Sequence, residues 1–211
     1  MRSKCFEKGF KIQVQWKKCF EKLRLHRNVY VLYNKMIREK GELRMIYFDM
    51  DGVLADFDRG VVELCGMRQL PQDESRTDEE DALMWEKIRE VGHFYDKLEP
   101  MPGAVEMFRK VYDLFGAKCE ILTGIPKPER GIVTSAEDKV AWTRRILSDK
   151  VKVNTVARKD KKLFCTGPDS ILVDDLEKNI TEWKAAGGTG ILFRNAEQAM
   201  EEILKYAEIY G

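Results

Sequence analysis

Residues 45–57 read Met45-Ile46-Tyr47-Phe48-Asp49-Met50-Asp51-Gly52-Val53-Leu54-Ala55-Asp56-Phe57. The apolar run 45–48 has the composition of a buried strand, and two carboxylates two residues apart follow it at once. In a strand, residues i and i+2 share a face, so Asp49 and Asp51 are expected to converge just past the sheet edge. Gly52 then lets the chain turn away. Paired carboxylates repel unless a cation lies beside them or one keeps its proton. The pattern points to a hard divalent cation such as Mg2+, which favours carboxylate, phosphate and water oxygens. It also points to one acid as nucleophile and the other as proton donor and acceptor. The plain alternative is a pair of solvated turn aspartates. A calcium loop of the helix–loop–helix type is excluded: it needs glycine sixth and glutamate twelfth, whereas counting from Asp49 the fourth residue is Gly52 and the twelfth is Gly60.

Outward from this stretch, apolar runs alternate with helical periodicities, the pattern of a parallel α/β sheet. Strands are expected at residues 44–49, 118–123, 151–156, 170–174 and 190–193. Helices are expected at 102–115, 135–147, 176–186 and 196–210. Pro102 suits a first helical turn, and Ser135 with Asp138 has the spacing of a capping box. Residues from about 57 to 100 break the alternation, with helical patterns at 58–65 and 78–91 around the polar loop 71–77. An insertion there would sit over the C-terminal end of the first strand, where open α/β sheets bind ligands. The expected fold is therefore α/β, a Rossmann-like parallel sheet with helices on both faces and a small α-helical cap inserted after the first core strand. The core domain would span 45–211, with the cap at about 57–100.

A chain of 211 residues with 44% hydrophobic and 35% charged residues can build one such core under a soluble surface. No stretch approaches the ~18 apolar residues needed to cross a bilayer, and the first residues lack the apolar centre of a secretion signal. Five cysteines, none in a Cys-x-x-Cys pair, argue against a disulfide framework or zinc site and for a reducing cytoplasm. The net charge of +1 hides an asymmetry. Residues 1–44 hold 13 Lys/Arg and 4 Asp/Glu, against 24 and 32 in the remainder. Such a basic arm suits nucleic acid or a membrane surface, or else lies outside the working domain as an extension of unknown role. Residues 38–45 read like the translation of a ribosome-binding stretch, and Met45 is expected to be the native start.

Three further polar signals each end or precede an apolar run. Ile121-Leu122-Thr123-Gly124 closes one strand with a hydroxyl and a permissive glycine, suited to phosphate oxygens. Ile171-Leu172-Val173-Asp174-Asp175 closes another with two acids that must play different roles. Lysines 159, 161 and 162 lie before that strand. A lysine ~4 Å from a carboxylate, at an effective dielectric near 20, contributes roughly 4 kcal/mol before desolvation. Taken singly these are a cap, a helix start and a solvated run. Their joint occurrence at strand ends, in this order, is harder to dismiss.

With those residues the chain resembles the haloacid dehalogenase superfamily of phosphotransferases. The resemblance rests on Asp49-Met50-Asp51-Gly52-Val53, Ile121-Leu122-Thr123-Gly124, a later lysine, and Ile171 to Asp175 with Asn179. More narrowly, residues 49–57, 98–104 and 137–142 are similar to the 5'(3')-deoxyribonucleotidases. The resemblance covers about residues 45–200 and implies Asp49 as nucleophile, forming an aspartyl-phosphate, and Asp51 as general acid then base. It implies Mg2+ held by Asp49, the backbone carbonyl of Asp51 and Asp174, with phosphate bound by Thr123 and Gly124 N–H. Lys161, with Lys162 as the alternative, takes the role of the superfamily's lysine, and Lys139 matches the subfamily's other active-site lysine, expected to bind substrate. Phe57 either stacks on a nucleobase or packs at the cap hinge; Trp85, His93, Phe94 and Tyr95 either line the base pocket or fill the core. His26 and His93 form no metal-ligand cluster.

The chain departs from the family at Gly124, where mammalian members carry a small polar residue, and at Ile125-Pro126-Lys127-Pro128. Leu176 replaces a frequent arginine, and residues 165–169 are extra. These differences leave phosphatase chemistry intact and bear on the deoxynucleotide preference. The expected activity is Mg2+-dependent hydrolysis of phosphomonoesters, (deoxy)nucleoside monophosphates first, by a cytoplasmic enzyme with no membrane partner. One alternative is a phosphatase of another small metabolite on the same scaffold. The other is a nucleic-acid-binding protein acting through its basic arm, against which Asp49, Asp51, Thr123 and Asp174 all argue. No Gly-rich phosphate loop supports ATP use.

Overall fold

The apolar run forms β1 (Met45–Phe48), the central strand of a parallel sheet, in a computed structural model that describes residues 45–71 and 74–210. The other strands are β2 (Cys119–Ile125), β3 (Val153–Ala157), β4 (Ser170–Asp174) and β5 (Thr189–Leu192), in the order β3-β2-β1-β4-β5. Chain order therefore reverses beside β1, which makes the C-terminal ends of β1 and β4 the crevice where such sheets bind ligands. Register sharpens this: Phe48 pairs with Val173, so the next residues, Asp49 and Asp174, leave the sheet side by side. The bond from Asp49 N–H to the Val173 carbonyl, 2.9 Å, holds them there.

Six helices occur among the described residues: α1 (Phe57–Cys65), α2 (Asp78–Val91), α3 (Ala104–Phe115), α4 (Ser135–Ile146), α5 (Glu177–Ala185) and α6 (Ala196–Tyr210). Alternate residues of the sheet feed opposite layers. Tyr47, Leu122 and Leu172 pack with Ile180 and Trp183 of α5, and the Tyr47 and Trp183 rings meet edge to face at 5.6 Å. Phe48 points the other way and meets Phe108 of α3 at 5.1 Å. All five residues of β4 are buried, which is why it reads as a continuous apolar run rather than an alternating one. Each fully buried leucine of this layer contributes about 1.5–3 kcal/mol.

The expected α/β fold with helices on both faces is the fold the chain adopts; element boundaries differ in instructive ways. α3 begins at Ala104 rather than Pro102, because Gly103 takes a left-handed conformation (φ 72°) and closes a turn first. At α4 the residue before the helix is Thr134, and the Asp138 carboxylate accepts from the Thr134 hydroxyl; Ser135 caps nothing. Short 3-10 turns at Tyr95–Lys97 and Arg158–Phe164 had no periodic signal to reveal them. Between β1 and β2 stand α1, capped by Asp56 and ended by Gly66, and α2, opened by a reciprocal capping box between Thr77 and Glu80. The expected basic extension, 1–44, lies outside the described residues.

Candidate active site

Lys161, in the 3-10 turn 158–164, is the hub of the crevice. Its ammonium lies 2.7 Å from Asp49 Oδ2 and 2.7 Å from Asp174 Oδ2, and the side chain is 3% exposed. Burial alone would drive the proton off, but the two acids outweigh it and hold the lysine above its ordinary range. Lys162 points away, 3.8 Å from Glu182 and half exposed. Asp49 Oδ1 accepts from the Met50 N–H. Asp174 is fixed from all sides: Leu176 N–H and the Asn179 amide, both at 2.9 Å, share it with Lys161. Asn179 belongs to the first turn of α5, so the helix after β4 orients the acid that ends it.

Asp49 and Asp174 are joined by Asp175, and one oxygen from each of the three lies within 4.8 Å of the others. Fully ionised, three carboxylates against one lysine would leave two negative charges uncompensated, and without a cation protons relieve that excess. Burial, then the neighbouring Asp49, raises Asp174; burial, then Asp49 and Asp174, pushes Asp175 up to about 8. An all-oxygen donor set short of two positive charges fits a hard divalent cation such as Mg2+. The sequence singled out Asp174 for this set; Asp175 was legible only as the second half of a doublet. Gly52 adjoins it at φ 72°, where a Cβ would run into the Asp175 carboxylate. Gly52→Ala is expected to cost about 1–2 kcal/mol from left-handed strain alone, read as a lower urea midpoint.

Asp51 turns toward a different lysine. Lys139, on α4 and fully buried, donates from Nζ to Asp51 Oδ2 at 2.6 Å, Thr123 Oγ1 at 2.9 Å and the Gly124 carbonyl at 2.8 Å. All three ammonium hydrogens are spent, and Lys139 stands behind Asp51 and the end of β2. Burial raises Asp51 against the pull of Lys139, and Asp49 raises it further. Asp51 Oδ1 is enclosed and has no hydrogen-bond partner. Thr123 is fully buried with its hydroxyl on Lys139, while Gly124 reaches the cavity wall.

That cavity, of about 540 Å3, opens from Asp49, Asp51, Lys161 and Asp175 toward the helical insertion. Its volume lies in the range of small-molecule sites. Phe57 and Tyr95 line it with rings stacked at 6.2 Å. Trp85 lines another part of the wall, its indole N–H on Asp81 and the Arg130 guanidinium over its face at 5.3 Å. Arg130 also donates to Asp81, at 2.6 Å. Arg158, which donates to the Asn179 side-chain oxygen Oδ1 at 3.0 Å, and Lys127 add positive charge. Phe94 is buried and His93 pairs with Asp138 rather than lining the cavity. Arg130, Arg158 and Asp81 had no sequence signal, since each lies in a turn or on a solvated helix face until the fold turns it inward.

The family model of the 5' nucleotidase, deoxy (pyrimidine), cytosolic type C proteins (NT5C) matches residues 43–207. No curated protein is matched. Among solved structures, a beta-phosphoglucomutase candidate from Bacteroides vulgatus superposes with a TM-score of 0.50 at 17% identity, over 83% of this chain and 94% of that one. A HAD-family hydrolase from Deinococcus radiodurans R1, with bound phosphate and sodium, gives a TM-score of 0.45 at 11% identity over 81% and 99%. At such identities the first likeness speaks to the fold alone. The family match spans most of the chain, and the chain therefore belongs to the 5' nucleotidase, deoxy (pyrimidine), cytosolic type C family, as a phosphoric monoester hydrolase of the nucleotidase type.

Proposed function

We propose that the protein is a Mg2+-dependent hydrolase of (deoxy)nucleoside monophosphates working through an aspartyl-phosphate on Asp49. The observation that carries this reading is Lys161 bridging Asp49 and Asp174, with Asp175 beside them, at the foot of a cavity walled by aromatic rings. Asp49, its Oδ2 paired with Lys161 at 2.7 Å, attacks phosphorus in line with the departing ester oxygen. Asp51, raised by burial, delivers a proton from Oδ1 to that oxygen while Lys139 keeps Oδ2 in place. It then takes a proton from the water that cleaves the acyl phosphate. Asp49, Asp174, Asp175 and the Asp51 carbonyl would hold Mg2+, which when bound neutralises charge on the phosphoryl group.

Gly124 N–H, with Thr123 fixing the loop, meets the phosphate oxygens; Arg158 and Lys127 supply the positive charge a dianion needs. Phe57, Tyr95 and Trp85 offer flat apolar faces to a base. In this reading residues 57–100 act as a cap that sets specificity over a core of 45–211, and 1–44 are a basic extension of unknown role. The cytosolic type C name of the family supports a cytoplasmic enzyme, and among the described residues no helix is long and apolar enough to cross a membrane.

Phosphate release across a panel of nucleotide and sugar phosphates tests the proposal. Turnover of nucleoside monophosphates, lost with EDTA and restored by Mg2+, is the expected outcome. Turnover of sugar phosphates with none of nucleotides would defeat the substrate assignment, and turnover undiminished by EDTA would defeat the metal.

A further inference from the structure

Asp138, Lys139, Trp142 and Arg145 lie on one face of α4 and together hold the segment that returns from the helical insertion. His93 Nδ1 is 2.7 Å from Asp138 Oδ1, and the Tyr95 ring lies 4.5 Å from the Lys139 ammonium. The Trp142 indole donates to the Leu98 carbonyl at 2.7 Å, and Arg145 binds Asp96. The contact between His93 and Asp138 is unusual on both sides. Among the described residues His93 is the one non-glycine residue at positive φ, 49°, a conformation that costs an L-residue about 1–2 kcal/mol. Its side chain is 68% exposed, so burial does not explain the strain. Asp138, in contrast, is a 2% exposed carboxylate whose partners are the His93 imidazole and the Thr134 hydroxyl.

Two pairs run in the same order along both segments: His93 with Asp138, then, two residues on, Tyr95 with the adjacent Lys139, whose ammonium holds the general acid. We propose that His93 is a positioning residue for proton transfer to the leaving group. Tied to Asp138, it seats Tyr95 against Lys139, and Lys139 in turn keeps Asp51 Oδ2 fixed and Oδ1 free. The backbone strain at His93 is what this tie holds in place. The inference rests on the reading of Asp51 and Lys139 given above, and extends it to a residue on the insertion that touches neither substrate nor metal.

The test exploits the leaving group. An alkyl ester departs only when protonated, whereas p-nitrophenolate leaves without a proton. In kcat/KM, which ends with departure of the leaving group, a defect in Asp51 orientation therefore shows on the first and spares the second. The later attack of water, which Asp51 also assists, enters kcat alone. The variants are His93→Ala, His93→Gly, which removes the strain with the bond, and His93→Asn, whose amide donates to Asp138 and tolerates positive φ. The alkyl ester is dUMP or glycerol 2-phosphate, whichever the wild type turns over faster. General acid catalysis contributes 10^2–10^4-fold, and loosening rather than removing the acid is expected to forfeit about tenfold of it. kcat/KM on the alkyl ester should fall about tenfold in His93→Ala and His93→Gly. It should stay within about twofold in His93→Asn, and all three should stay within about twofold on p-nitrophenyl phosphate. Equal losses on both esters, or a wild-type rate in His93→Gly, would overturn the proposal while leaving the phosphatase reading intact. A wild-type protein inert on every ester would overturn that reading and the proposal with it.

Discussion

Asp49→Asn is expected to lower the rate of phosphate release at least about 10^4-fold, the scale on which removing a covalent nucleophile acts. The substitution keeps the size of the side chain and its acceptor for the Met50 N–H, so the turn after β1 survives. What changes is the oxygen facing Lys161, which becomes an amide aimed at an ammonium when the nitrogen occupies that place. The carboxamide does not attack phosphorus, and one of the two charges awaiting a cation is lost. Phosphate release at saturating Mg2+, with a fluoride-based phosphoryl mimic as a probe of the acyl-phosphate site, checks this. A variant within tenfold of the wild type would remove Asp49 from the role of nucleophile and send the covalent mechanism with it.

Lys161→Met separates the electrostatic part of the site from its chemistry. Taking one partner from a buried ion pair costs about 3–5 kcal/mol, because the other charge stays buried without compensation. Here two acids, Asp49 and Asp174, lose the same partner at once, and Asp175 already stands beside them unneutralised. In metal-free buffer the stability of the variant, read from urea unfolding, should fall by about 3–5 kcal/mol. Adding Mg2+ should return more stability to the variant than to the wild type, since a site three charges short binds a divalent ion more tightly than one two charges short. Activity should fall as well, because Asp49 and Asp174 lose the ammonium that bridges them. Equal Mg2+ shifts in the two proteins would mean that the acids do not share the ion. Lys162→Met, half exposed and facing Glu182, should change neither measurement beyond about 0.5 kcal/mol.

Much of the arrangement was legible along the chain because its signals are local. A buried strand in a parallel sheet is a short apolar run, and residues 45–48 and 170–174 are such runs with acids directly behind them. The strand ends where the apolar residues stop, so Asp49, Thr123 and Asp174 could be assigned to one edge without knowledge of strand order. Helix ends were less legible: Gly103 and Thr134 set the starts of α3 and α4 through backbone conformation and hydrogen bonds that spacing does not encode.

Partnership, by contrast, belongs to three dimensions. Asp49 and Asp51 are two residues apart, yet one faces Lys161 and the other Lys139, because Gly52 turns the chain just past the sheet and parts them. Asp175 joins the acid cluster, and Lys161 rather than Lys162 enters it, only through the path of a 3-10 turn with no periodicity to read. His93 and Asp138, 45 positions apart, meet because α4 receives the returning insertion on one face. An apolar run advertises its own burial, whereas a charge says nothing of which distant charge will be folded against it. The register of β1 on β4 and the docking of the insertion on α4 settle that.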